Sequence, residues 1–171
     1  MRSNVQPYEA ASKDLFRFVD DSILKYAEVA VHLNMGQGRQ QRQESAARKS
    51  SDVTRGNVLI VEDDRDTAET LLVILGNAGY GVRKVSSRDA ALKVLLSNLY
   101  QCIVLDYYMP GMGAEDFMGA LTTVHPIAKV VLITAANEVE GVAKKLGIKN
   151  YLGKPFENED LLKMVDQACK S

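Results

Sequence analysis

From residue 57 onward, hydrophobic and polar positions follow two alternating patterns. Short apolar runs rich in Val, Ile and Leu predict strands, and apolar residues three and four positions apart predict helices. Strands are predicted over 58–61, 82–85, 101–106, 129–134 and 149–152, and helices over 66–79, 88–97, 115–124, 137–146 and 159–169. Strict alternation of strand and helix is typical of βα units that form a parallel sheet.

Sequence signals at the ends of these elements support the assignment. Ser86 or Ser87 is predicted to cap the second helix, and Gly147 to end the fourth. The apolar strands over 101–106 and 129–134 indicate burial on both faces of the sheet. Five units are too few for an eight-unit barrel, so we predict an α/β fold with an open, doubly wound, five-stranded parallel sheet.

The chain before this region has a different pattern. Over residues 8–35 the apolar positions follow a heptad spacing, which predicts an N-terminal amphipathic helix within residues 1–35. The positions are Phe16, Val19, Ile23, Tyr26, Ala30 and Leu33. A helix this short is marginal alone and must pack its apolar stripe on something. A homodimer through residues 8–35 is the preferred arrangement, with docking on its own domain or on a partner as alternatives.

Residues 36–55 contain mainly Gln, Arg, Ser and Gly, with almost no large apolar side chain. This composition predicts a flexible linker with an end-to-end distance of about 25 Å. Its basic residues are interpreted as a solvated surface in preference to a nucleic-acid-binding arm. The predicted organisation is therefore a helix in residues 1–35, a linker over 36–55 and an α/β domain over 56–171.

Composition narrows the functional classes. The 171-residue chain has a net charge of −1, which provides no electrostatic reason to expect nucleic-acid or membrane partners. No stretch approaches the about 20 apolar residues of a membrane span, and the N-terminus lacks a signal-peptide pattern. Cys102 and Cys169 form neither a disulfide framework nor a metal motif. These observations predict a cytoplasmic location.

Polar side chains lie where the predicted strands end. They are Glu62, Asp63 and Asp64 after the first strand, Asp106 at the end of the third, Thr134 at the end of the fourth and Lys154 after the fifth. Because ligands of such sheets bind outside the carboxyl ends of the strands, we expect one shared crevice. Clustered carboxylates repel one another unless a cation binds, and oxygen-only ligands suit Mg²⁺. A lysine in the same crevice suits a phosphoryl oxygen.

Residues 56–171 resemble the receiver domain of response regulators from two-component signal transduction systems. The resemblance rests on four segments in order: VLIVEDD, IVLDYYMPGM, VVLITA and YLGKPF. Their key residues Asp63, Asp106, Thr134 and Lys154 follow one another at intervals of 43, 28 and 20 residues. Each segment alone is a weak signal, and the ordered set is a strong one. The resemblance implies a flavodoxin-like fold of the receiver type.

The resemblance implies a phosphorylation site. Asp106 corresponds to the phosphoacceptor, and Lys154 to the lysine that pairs with the phosphoryl group. The implied Mg²⁺ ligands are Glu62, Asp63, Asp106 and the backbone carbonyl of Tyr108.

Further roles are implied for neighbouring positions. Thr134 corresponds to the switch hydroxyl and Tyr151 to the switch aromatic residue. Asp64 falls one place past the acidic pair and is expected to be exposed or to cap a helix. Lys154–Pro155 is a candidate cis peptide bond.

The function implied is that of a response regulator. It would accept a phosphoryl group on Asp106 in a Mg²⁺-dependent reaction, from a histidine kinase or a histidine phosphotransfer protein. The change would then alter a partner-binding face or self-association, with an output protein that the sequence does not identify. No DNA-binding output domain is expected after the last helix. The protein would not be an enzyme beyond its own phosphorylation and dephosphorylation.

Other interpretations stay open at this point. A phosphate sink or a phosphorelay intermediate would use the same site. An inactive receiver-like interaction module is less favoured, since no expected site residue is missing. Flavin mononucleotide binding is disfavoured because three carboxylates after the first strand would repel a phosphate. His32 is interpreted as a residue beside the heptad seam rather than a phosphotransfer histidine.

The chain also departs from the usual receiver pattern. Gly113 and Ala114 stand where the family often has Asp or Asn followed by Gly. The interval from Thr134 to Lys154 is short, which is expected to trim the fourth helix or its entry loop. Tyr108 is a bulky residue two places after the phosphoacceptor, and we hypothesise that it screens the acyl phosphate from water.

Overall fold

The computed structural model describes residues 54–126 and 128–170. The predicted N-terminal helix and almost all of the predicted linker lie outside these ranges. The strands are β1 (Asn57–Val61), β2 (Gly81–Val85), β3 (Cys102–Asp106), β4 (Lys129–Thr134) and β5 (Asn150–Gly153). The helices are α1 (Arg65–Asn77), α2 (Arg88–Leu95), α3 (Ala114–Val124), α4 (Val139–Lys145) and α5 (Asn158–Lys170). All ten elements predicted from residue 57 onward are confirmed, with ends shifted by two residues or fewer.

The strands form one parallel sheet in the order β2-β1-β3-β4-β5. Within the described residues the sheet begins with β1, the chain then adds β2 on one side of it, and β3, β4 and β5 follow in order on the other side. The predicted doubly wound α/β fold is therefore confirmed. In such a sheet the order of winding reverses between β1 and β3, which opens a crevice at their carboxyl ends.

Each face of the sheet has its own hydrophobic core, because successive strand residues point to opposite sides. On one face, Leu59, Leu105 and Leu132 pack with α2, α3 and α4 in a cluster that includes Phe117. On the other face, Ile60, Val104 and Ile133 pack with the apolar residues of α1 and α5. Burial on both sides explains why the central strands are apolar throughout.

Capping residues set where several helices begin and end. The side chain of Asp64 caps α1 by accepting a hydrogen bond from the Thr67 amide at 2.8 Å, so the prediction of a capping role is confirmed. Ser87 caps α2 through the amide of Ala90 at 3.1 Å. The chain leaves α4 through Gly147, whose φ of +69° is a conformation that glycine adopts readily. At seven residues, α4 is the shortest of the described helices, consistent with the short interval between Thr134 and Lys154.

Arg55 anchors the start of the described region to the sheet domain. Its amide donates to the Gly79 carbonyl at 3.0 Å, and its guanidinium donates to Asp166 at 2.7 Å and lies 5.2 Å from the ring centre of Tyr80. The domain's contacts thus extend to a residue that the predicted boundary assigned to the linker. Among the described residues, no helix has both the length and the apolar character needed to cross a membrane.

Candidate functional site

The register of the strands brings their carboxyl ends to one edge of the sheet. Val61 of β1 pairs with Leu105 of β3, and Asp106 pairs with Ile133 of β4. Thr134 pairs with Gly153 of β5. The polar residues that end or follow these strands are therefore neighbours, although they are far apart in the sequence.

Three carboxylates meet at this edge. One oxygen each from Glu62, Asp63 and Asp106 lies within 4.8 Å of the other two. Glu62 and Asp106 are buried, with relative exposures of 2% and 6%, whereas Asp63 is exposed. Two buried acids so close together repel each other in a medium of low dielectric constant. The cluster therefore favours a cation, and its oxygen ligands are those that Mg²⁺ prefers.

Lys154 supplies one positive charge to this cluster. Its Nζ donates to Oε2 of Glu62 at 2.9 Å and to Oδ2 of Asp106 at 3.2 Å. The residue follows β5, and its own amide donates to the Thr134 carbonyl at 2.7 Å, which places its backbone beside β4. The peptide bond to Pro155 is cis, as predicted.

Burial and charge act in opposite directions on these groups. Burial raises the pKa of Glu62, the hydrogen bond from Lys154 opposes that rise, and the charge of Asp106 adds to it. For Lys154, burial alone would lower the pKa, but the hydrogen bond to Glu62 and the charge of Asp106 raise it overall. The ammonium group thus stays charged. One cation among three acids leaves a net negative site.

The two tyrosines after Asp106 form an aromatic pair in which Tyr107 is half-buried and Tyr108 is exposed. The Tyr108 amide donates to Oδ1 of Asp106 at 3.3 Å, and the Tyr108 side chain is 60% exposed. The rings of Tyr107 and Tyr108 meet edge to face, with centroids 5.0 Å apart. An aromatic surface therefore lies beside the buried carboxylate.

Thr134 and Tyr151 lie on the half of the sheet beside α4. Thr134 is fully buried, and its hydroxyl oxygen accepts a hydrogen bond from the Ala136 amide at 3.0 Å. Tyr151 is half-buried and packs against the cluster on the α4 face. Side chains alternate along β4, so Thr134 points to the same face as Leu132, which belongs to that cluster. The two residues therefore share one face of adjacent strands.

Arg88 also belongs to the site, although it was not among the predicted site residues. It begins α2, as the predicted helix over 88–97 does, and it is only 2% exposed, whereas a charged residue in the first turn of a helix is usually exposed. Its guanidinium donates to four backbone carbonyls, those of Asp106, Tyr107, Met109 and Met112. A signal for its burial did exist: Arg88 shares the helical face of Ala91, Leu92 and Leu95 at spacings of three, four and seven.

The fold and the crevice together define a receiver-type α/β domain. The family described as the response regulator receiver domain matches residues 58–166, more than half of the chain. The chain belongs to this family, whose members act in two-component signalling.

Individual relatives agree with this assignment. Response regulator protein FleR of Pseudomonas aeruginosa is 38% identical over 110 residues, which cover 63% of this chain and 23% of FleR. Transcriptional regulatory protein FixJ of Bradyrhizobium diazoefficiens is 28% identical over 119 residues, 68% of this chain and 58% of FixJ. The chain therefore spans less than two thirds of either relative.

A solved structure gives the same match in three dimensions. Response regulator protein TrrA of Thermotoga maritima, solved in complex with Mg²⁺-BeF, aligns with a TM-score of 0.60 and 26% identity. The alignment covers 66% of this chain and 97% of the TrrA chain.

The described geometry brings Glu62, Asp63, Asp106 and Lys154 together as predicted. Tyr108 is adjacent through its amide, and Thr134 lies on the next strand, one residue beyond the register partner of Asp106. Tyr151 lies one strand further out. The chemical roles assigned to these residues stay predictions.

Proposed function

We propose that Asp106 is the phosphoacceptor of a Mg²⁺-dependent response regulator. The observation that carries the proposal is the cluster itself: three carboxylates within 4.8 Å, two of them buried, with one lysine between Glu62 and Asp106. A structural ion pair would need only one acid for one lysine. The surplus of negative charge indicates a site for a further cation.

Mg²⁺ fits the residues present. Glu62, Asp63 and Asp106 offer carboxylate oxygens, and the Tyr108 backbone carbonyl is the proposed fourth ligand. The similar domain of TrrA has been solved in complex with Mg²⁺-BeF, which supports the same ion here. When bound, Mg²⁺ supplies positive charge that offsets the repulsion between an acceptor carboxylate and a phosphoryl donor.

In the proposed reaction, a carboxylate oxygen of Asp106 attacks the phosphorus of the donor. An O–P bond forms on Asp106 as the bond from phosphorus to the donor's leaving group breaks, giving an acyl phosphate. The ammonium group of Lys154 now donates to Oδ2 of Asp106, so it is placed to donate to an oxygen of the phosphoryl group once that group is bound there. The donor is proposed to be a histidine kinase or a histidine phosphotransfer protein.

The phosphoryl group then changes the face of the domain beside α4. The group carries up to two negative charges and three acceptor oxygens, while the carboxylate of Asp106 gives up its own charge when it becomes an acyl phosphate. The Thr134 hydroxyl, whose oxygen now accepts a hydrogen bond from the Ala136 amide, can turn toward the phosphoryl group and donate its proton to a phosphoryl oxygen. Tyr151 shares that face and can occupy the space that Thr134 vacates. A partner-binding face or self-association would change as a result, in a cytoplasmic protein whose output partner is not identified.

The experiment that tests the proposal is mass measurement after treatment with acetyl phosphate and Mg²⁺. The unmodified protein should gain the mass of one phosphoryl group, and Asp106→Asn should gain none because an amide cannot form the acyl phosphate. Asp63→Asn tests metal dependence separately, since it keeps the acceptor. No gain in the unmodified protein would favour the inactive interaction module.

A further prediction concerns Tyr108. Its ring is exposed beside the acceptor and braced by Tyr107, so it can shield the acyl phosphate from attacking water. Tyr108→Asn should shorten the phosphoryl lifetime several-fold, measured as mass loss after donor removal. Tyr100→Phe, far from the crevice, serves as the control. An unchanged or longer lifetime in Tyr108→Asn would refute the shielding role.

A further inference from the structure

Arg88 lies next to the crevice, and its guanidinium bonds backbone carbonyls that are 18 to 24 residues away in the sequence. Nη1 donates to the carbonyls of Met109 at 3.2 Å and Met112 at 2.8 Å. Nη2 donates to the carbonyls of Asp106 at 2.9 Å and Tyr107 at 2.6 Å. We call residues 106–112 the acceptor loop. The guanidinium of Arg88 therefore bonds four of the seven backbone carbonyls in the acceptor loop.

Such a placement is costly unless it is compensated. A cation at the first position of a helix is opposed by the helix dipole, and burial of a charge adds a desolvation penalty. Burial lowers the pKa of Arg88, while the negative charges of Asp106 and Asp63 oppose that decrease. The guanidinium keeps its proton because its intrinsic pKa is so high. The four carbonyls are the compensation, and they all belong to the loop that carries the acceptor.

The pattern of these bonds singles out one peptide group. Arg88 holds the carbonyls of Tyr107 and Met109, but the carbonyl of Tyr108 between them is not among its acceptors. The Tyr107 carbonyl also accepts from the Met109 amide at 3.2 Å, which tightens the same turn. With both flanking groups held, the Tyr108 peptide has little freedom to rotate. Its carbonyl is the backbone ligand proposed for Mg²⁺.

We propose that Arg88 is a positioning residue that holds the acceptor loop so that the Tyr108 carbonyl and the Asp106 carboxylate are aimed at the Mg²⁺ site. The inference rests on the proposed function of that site. Arginine suits the task because its planar fork carries five donors in fixed directions. Lysine keeps the charge but has three donors on one atom and cannot bond four carbonyls in two directions.

The first test is Mg²⁺ binding to the full chain, measured by calorimetric titration at pH 7. Residues that orient metal ligands typically contribute 10- to 100-fold in metal affinity. Arg88→Lys should therefore weaken Mg²⁺ binding at least about 10-fold. Arg83→Lys is the matched control, since Arg83 is an exposed residue of β2, and should leave the affinity unchanged. An affinity of Arg88→Lys within twofold of the unmodified protein would overturn the proposal.

The second test uses metal-free protein and separates positioning from general destabilisation. Amide hydrogen exchange should be at least 10-fold faster at Met109 in Arg88→Lys, because its turn is no longer held. The amide of Val104, in the core of β3, should be affected far less. Equal acceleration at Met109 and Val104 would mean global loss of stability and would overturn the positioning role.

If circular dichroism shows that Arg88→Lys does not fold, the proposal is tested on the unmodified protein instead. Its Arg88 guanidinium NMR signals should shift when Mg²⁺ is added, whereas those of Arg83 should not. Unshifted Arg88 signals at saturating Mg²⁺ would overturn the proposal. Treatment of the same sample with acetyl phosphate separates a failure of the proposed function from a failure of the positioning role of Arg88. Mg²⁺ binding without a gain of a phosphoryl group contradicts the proposed function alone. A gain of a phosphoryl group, together with an unchanged Mg²⁺ affinity in Arg88→Lys, contradicts the positioning role alone.

Discussion

Lys154→Met should lower the free energy of unfolding of the metal-free protein by about 2–3 kcal/mol at pH 7. The substitution leaves the buried carboxylates of Glu62 and Asp106 facing each other without a counter-charge. Breaking a buried ion pair costs about 3–5 kcal/mol, and the lower figure allows for the partial exposure of Lys154, whose side chain is 27% exposed. Urea unfolding followed by circular dichroism in EDTA measures the difference.

Mg²⁺ should restore most of the stability lost in Lys154→Met. The ion replaces the missing positive charge, and in the unmodified protein it is partly repelled by the ammonium group already present. Its stabilising effect should therefore be larger in the variant. Equal stabilisation of both proteins by Mg²⁺ would contradict binding at the acid cluster. Lys145→Met is the control: Lys145 pairs with Glu115 on the surface, and its loss should change little.

The same variant has a predictable pH dependence. Burial raises the pKa of Glu62 above its usual value, and removal of Lys154 removes the hydrogen bond that opposes this rise. A group whose pKa is raised in the folded state favours folding in its protonated form. The stability deficit of Lys154→Met should therefore be full at pH values above the pKa of Glu62 in the folded state and should shrink as the pH falls through that pKa. A deficit that does not change with pH would argue against repulsion as its cause.

Phe117→Ala is expected to have the largest effect on the fold, about 3–5 kcal/mol lost from the free energy of unfolding. Phe117 of α3 is fully buried and belongs to the cluster that joins Leu92 of α2 to Leu105 of β3. Truncation removes apolar contact area and leaves a cavity that rigid neighbours fill only in part. Typical domains have a free energy of unfolding of only about 5–15 kcal/mol, so this substitution would remove a large part of it.

The control for Phe117→Ala is Thr123→Ala on the exposed side of the same helix. It should change the free energy of unfolding by less than about 0.5 kcal/mol. Both are measured by urea unfolding of the full chain. A loss below about 1 kcal/mol in Phe117→Ala would mean that the cluster collapses around the gap, contrary to the close packing expected of a core.

The acids and the lysine of the site could be predicted from the sequence, whereas the buried arginine could not. Glu62, Asp63 and Asp106 could be placed because each directly follows or ends an apolar strand, and parallel strands end at the same edge. Lys154 could be placed in the same crevice for that reason and by its resemblance to receiver sequences. Arg88 was missed because the first turn of a helix normally exposes a charged residue.

The sequence by itself determined the order of the elements, the doubly wound fold and the edge at which the chemistry lies. These follow from periodicities and strand ends, which are local and need no knowledge of distant residues. Tertiary structure alone decided that Lys154 bridges Glu62, 92 residues away, and Asp106, and that Arg88 is buried under the acceptor loop. Such contacts depend on how separate units pack, because a charged side chain is stable inside a protein only where the fold brings matching acceptors to it.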